Sequence, residues 1–129
     1  MADTHDVQLL EMVTRVPPEL SAQQSVPSDA ACEIVIHAGA GIAVLAMQLA
    51  YKILVTVRDV TDGTTVTTLR REGFLGDEKW PTQFVWHPFR LAPQGRAKQD
   101  HIYEAIAALV IGPNPPIVDF LESHWFIIT

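Results

Sequence analysis

Residues 47–69, MQLAYKILVTVRDVTDGTTVTTL, decide the fold. Side chains alternate along a strand, so Tyr51, Ile53, Val55 and Val57 fall on one face. Lys52, Leu54, Thr56 and Arg58 fall on the other. Asp62-Gly63 then offers positive φ for a reversal. The β-branched run Thr64–Thr68 supplies a return strand. The stretch predicts a β-hairpin.

Upstream of the hairpin, Cys32–His37 reads as a short strand broken by Gly39 and Gly41, and residues 42–48 lead into the hairpin as helix or strand. Downstream, REGFLGDEKWP reads as a loop. Thr82–Leu91 reads as a strand in which Pro88 requires an edge or a bulge. Residues 101–111 alternate Tyr103, Ala105, Ala107, Leu109 and Ile111 against an equally apolar Ile106, Ala108 and Val110. Helix and strand both fit that window. After the Gly112–Pro116 stop, residues 117–121 and 125–128 read as two closing strands.

At the other end, Leu9, Met12, Val13 and Val16 have helical spacing behind Asp6 as an N-cap, and the same residues suit an edge strand. Pro17-Pro18 ends that element, and residues 17–31 are polar and proline-bearing. The expected organisation is residues 1–31 as an N-terminal arm or short helix plus linker. Residues 32–129 then form an all-β, antiparallel sandwich of about seven strands.

Composition narrows the function classes. At 129 residues the chain forms one domain with a core that needs no disulfide. Charged residues make up 19%, below the usual quarter, while apolar residues reach 48%; the excess points to a subunit interface. A net charge of −6 argues against nucleic-acid binding, which needs a basic face. Residues 34–57 are long enough to span a bilayer, but His37, Gln48, Lys52 and the period-two second half argue against a membrane segment. Cys32 is the only cysteine, and MADTHDVQLL has neither the basic nor the apolar region of a secretory signal. Cytoplasmic residence is the expectation.

Asp100-His101-Ile102-Tyr103-Glu104-Ala105 resembles the penultimate strand of immunoglobulin-like domains, in which a tyrosine near the strand start ties down the preceding corner. In that resemblance Tyr103 is the corner tyrosine. Ala105 stands where antibody domains carry their second cysteine, as in a disulfide-free, E-set-type variant. The resemblance implies a fold and no activity.

A second resemblance competes for the upstream residues. Ile34–Ala46, with Gly39-Ala40-Gly41 at its centre, resembles the first βα turn of flavin- and nicotinamide-binding proteins. It implies FAD or NAD as cofactor, Gly39 and Gly41 at the pyrophosphate, and Asp59 at a ribose hydroxyl. Residues 43–52 would then be the crossover helix.

Other chemistry is thin. His5, His37, His87, His101 and His124 lack the close pairings that place two imidazoles on one ion. Asp59 with Asp62, and Asp77 with Glu78, lack a calcium loop and read as turn formers. Cys32 reads as a buried hydrophobe. Ser123 and His124 point to opposite faces of a strand and make a poor nucleophile–base pair. Trp80, Trp86, Phe89 and Trp125 offer the makings of an aromatic binding patch, but core packing is the expectation for most of them. The preferred expectation is a non-catalytic binding or assembly module, a homo-oligomer or a partner of another protein, with Leu54, Ile106 and Val110 at the interface.

Overall fold

Alternation in residues 50–74 delivers the hairpin. β4 (Ala50–Asp59) pairs antiparallel with β5 (Thr64–Phe74), and Gly63 takes φ 72° in the turn between them. The structure is a computed structural model and describes residues 7–112 and 116–129. Residues 1–6, among them His5 and Asp6, residues 113–115, and the side chains of Glu122 and Ser123 lie outside the described residues.

The other elements are β1 (Val7–Arg15), β2 (Ser25–Val26), β3 (Cys32–Ala40), α1 (Ile42–Ala46), β6 (Phe84–Leu91), a 3-10 turn (Arg96–Lys98), β7 (Ile102–Ile111) and β8 (Ile117–Ile128). They form a three-stranded sheet in the order β1-β3-β6 and a five-stranded sheet in the order β2-β8-β7-β4-β5. The fold class is all-β. No helix among the described residues is long and apolar enough to cross a membrane.

The inward sides of the two sheets make one core. β4 contributes Tyr51, Ile53, Val55 and Val57, and β7 contributes Tyr103, Ala105, Ala107, Leu109 and Ile111. The other sheet supplies Ile34, Ile36 and Ala38 from β3 with Phe89 and Leu91 from β6. Burying each large aliphatic side chain stabilises the fold by about 1.5–3 kcal/mol, so alternation is enforced where one face is packed.

Side chains close both seams of the sandwich. At one, the Asp119 carboxylate accepts a 2.7 Å bond from the Leu9 N–H, and His124 Nε2 lies 2.6 Å from Thr14 Oγ1. At the other, Arg71 of β5 donates a 2.9 Å bond to the Pro88 carbonyl of β6. One backbone group at each seam, the Leu9 N–H of β1 and the Pro88 carbonyl of β6, is thereby engaged.

Two open readings resolve and one expectation needs correction. Residues 7–15 form a strand and no helix, and with β2 they place strands from the expected arm in both sheets. The pairing of β1 with β3 slips between Leu9 and Glu11, so Leu9 and Met12 both turn inward three residues apart. A β-bulge thus mimics the helical period. Residues 117–128 form one strand where two were expected, because β8 carries an extra residue opposite Ala105–Ala107. Residues 42–46, finally, make a five-residue helix that carries the chain from one sheet to the other.

Candidate functional site

Three places combine unusual chemistry with accessibility or burial. The first is an ionic knot at the β4–β5 turn. Asp59 is fully buried at the end of β4, and its Oδ2 is 2.8 Å from His101 Nδ1 and 3.1 Å from Lys98 Nζ. Lys98 also donates to Asp62 at 2.9 Å, and the Asp62 N–H donates to Asp59 Oδ1 at 3.1 Å. Burial alone would raise the Asp59 pKa. The bonds from His101, the Asp62 N–H and Lys98 more than offset it and hold the carboxyl at about 2.

Asp59, Asp62 and His101 bring potential ligand atoms within 4.8 Å of one another. The Lys98 ammonium already sits on both carboxylates, so the group is a closed ion pair pinning the hairpin turn to the 3-10 turn and β7. Asp59→Ala is expected to lower the unfolding free energy by about 3 kcal/mol, because Lys98 and His101 lose a buried partner. Urea unfolding checks it. The folded pKa lies below the unfolded value, so this stabilisation is complete above about pH 4 and is lost as the pH falls toward about 2.

The second place is internal. Trp80 stacks edge-on against Tyr51 and His87, with ring centroids 5.0 Å apart in each case. Tyr51 Oη, Trp80 Nε1 and His87 Nε2 are buried without a partner among the described residues. Arg71 reaches His87 Nδ1 at 3.3 Å and lies 5.2 Å over the Phe89 ring.

The third is a surface. On the outward side of the five-stranded sheet, registered pairing lines up Val118–Val110–Lys52–Glu72, then Phe120–Ala108–Leu54–Arg70, then Ile106–Thr56–Thr68, then Trp125–Glu104–Arg58. Ile127 and Ile102 complete one end, and Phe74 stands at the other beside a groove of about 540 Å³ lined by Ala50, Val110 and Gly112. Val118, Phe120, Trp125, Ile127, Ile102, Ile106 and Phe74 are all exposed, between 36% and 64%.

The expected interface residues Leu54, Ile106 and Val110 lie together on this face, with Ile106 exposed and the other two half-buried. Their β8 neighbours Val118, Phe120 and Ile127 were not anticipated. The signal was present as alternation on each side of Glu122-Ser123, but the bulge changes its phase. Of the four aromatics expected mostly in the core, Trp80 and Phe89 are buried, while Trp125 stands on this face and Trp86 on the opposite one. Lys98 and His101 were likewise missed as partners of Asp59, since nothing local links positions thirty-nine and forty-two residues apart.

The expected cofactor residues do not come together as a nucleotide-binding turn. Such a turn requires two parallel strands in one sheet, whereas β3 and β4 belong to different sheets. Gly39 is a β3 residue, and a Cβ there would lie 2.9 Å from the Phe84 ring packed over it. Gly41 precedes the five-residue helix with extended backbone, φ −62° and ψ 157°. Asp59 is committed to the ionic knot. Burial, with Glu33 nearby, pushes the Cys32 thiol up to about 11, well away from a reactive thiolate.

On the outward side of the three-stranded sheet, Trp86 stacks flat on His37 with 4.2 Å between centroids, and its flank borders a groove with Val13, Val35, Ala22 and the exposed Leu20. No protein-family model matches the chain, and no match is found among curated proteins.

Proposed function

We propose that this chain is a non-catalytic protein-binding or assembly module on an immunoglobulin-like sandwich, working through the outward face of its five-stranded sheet. The observation that carries the reading is the set of large, exposed apolar side chains on one face, Ile102 and Ile106 of β7 with Val118, Phe120, Trp125 and Ile127 of β8. Soluble domains rarely leave such a patch open without a use for it. The orders β1-β3-β6 and β8-β7-β4-β5 correspond to strands A-B-E and G-F-C-C′ of the immunoglobulin pattern, which supports the fold reading. Tyr103 adds support: its hydroxyl donates a 2.8 Å bond to Gln94 Oε1 on the preceding connection. The buried, disulfide-free Cys32 suits a reducing cytoplasm.

An apolar fluorescent dye at sub-micromolar protein tests the reading. The wild type is expected to bind it. The double variant Ile106→Arg, Phe120→Arg is expected to lose most of that signal while its melting temperature moves by less than about 4 °C, as for exposed positions. A wild type that binds no dye, or a double variant that unfolds, would show the face serving the fold itself and would end this reading.

A further inference from the structure

We infer that the occupant of this face is a second copy of the same chain, docked face to face; the inference rests on the module reading above. The layout is that of an interface. Apolar residues of β7 and β8 with Leu54 fill the β8 side of the face, and Lys52, Arg58, Arg70 and Glu72 flank them on β4 and β5.

Charge favours a copy over a foreign partner. Among the described residues the face carries Lys52, Arg58 and Arg70 against Glu72 and Glu104, close to neutrality. The whole chain is at −6, so the surplus negative charge lies elsewhere. Two copies therefore meet here without like-charge repulsion across the contact, whereas a partner recognised by charge would need an unbalanced face. Lys52 and Glu72 are only 3.8 Å apart, and Arg70 is paired to Glu72, so the rim is already internally compensated.

The size also fits. Four long strands spaced about 4.8 Å apart and about ten residues long give roughly 600 Å² in plan. Corrugation by side chains raises the accessible area toward the about 800 Å² per partner of a stable interface. A two-fold contact uses the same patch twice and closes at a dimer. Other routes to self-association are poorer. Side-chain bonds cross both seams of the sandwich, and the opposite face offers fewer exposed large apolar groups, with Phe84 packed over Gly39 and Trp86 stacked on His37.

Sedimentation velocity of the full chain from about 1 to about 200 µM tests the inference, a range that brackets weak and moderate dimers. The expected result is a concentration-dependent dimer. Phe120→Arg and Ile106→Arg should each weaken it at least about 30-fold, as for central anchors. Leu20→Arg, exposed on the opposite face, should leave it unchanged. A monomer throughout, or a dimer indifferent to both face variants, overturns the inference. If that monomer still binds the apolar dye through Ile106 and Phe120, the occupant is a different protein and the module reading stands. If it binds none, both fall.

Discussion

Asp77→Ala is expected to lower the unfolding free energy by about 3 kcal/mol, because three backbone donors lose a charged acceptor at once. Asp77 Oδ2 accepts from the Phe74 N–H at 2.9 Å, and Oδ1 accepts from the N–H groups of Lys79 and Trp80 at 2.8 and 3.0 Å. The loop so formed closes with a 2.8 Å bond from Gly76 N to the Trp80 carbonyl, and Gly76 takes φ 89°. What the loop delivers is Trp80, fully buried against Tyr51 and His87. Gly73 leaves the space through which the Asp77 carboxylate reaches; a Cβ there would collide with it and stand 3.0 Å from Tyr51 Oη. Burial opposes the charge of Asp77, but the bonds from Phe74, Lys79 and Trp80 prevail and hold its carboxyl below the usual range. Its contribution is therefore present above about pH 4 and fades under acid. Asp77→Asn, keeping one acceptor oxygen, should cost about half as much. Denaturant unfolding measures both variants, and a loss under about 1 kcal/mol for Asp77→Ala would mean that the loop holds Trp80 without this carboxylate.

The second large effect is a loss of stability between neutral and mildly acid pH, centred on His87. Burial first, then the Arg71 guanidinium, hold this imidazole at about 4, with Asp77 pulling weakly the other way. Arginine only donates, so Nδ1 accepts from Arg71 and the ring proton sits on Nε2. Unfolding returns the ring to a pKa of about 6.5. The folded value is the lower one, so stability is full above about 6.5 and declines as the pH falls toward about 4, by about 3 kcal/mol in all. That window lies above the one in which Asp59 and Asp77 act. His87→Leu is expected to flatten most of the slope. Some should remain, because burial also holds His124 below its usual range. Unfolding free energies at pH 4.5, 5.5 and 7 decide the matter; equal slopes for wild type and variant would remove His87 from the account.

Much of the fold was legible because two-face alternation with a packed inner face leaves little freedom. Tyr51, Ile53, Val55 and Val57 are buried as the pattern requires, and Asp62-Gly63 turns the chain. What misled the reading was phase. Single extra residues near Leu10 and opposite Ala105–Ala107 broke the alternation, producing an apparent helix at one end and an apparent loop at the other. Gly39 and Gly41 invited a phosphate-binding interpretation, whereas Gly39 makes room for a ring on the neighbouring strand. The candidate surface was half legible. Leu54, Ile106 and Val110 betray a second apolar face by local alternation, but its most exposed members come from β8, a strand whose partner a local pattern does not reveal.

The three tryptophans fall in three different layers: Trp80 in the core, Trp125 on the five-stranded face and Trp86 on the three-stranded face. Each indole therefore samples a separate dielectric. The molecule carries its own set of optical probes, one for global unfolding and one for each outer surface. Quenching by a small neutral solute should reach Trp86 and Trp125 and spare Trp80. With Trp86 replaced by phenylalanine, the quenchable fraction that remains reports from Trp125 alone, within the proposed contact.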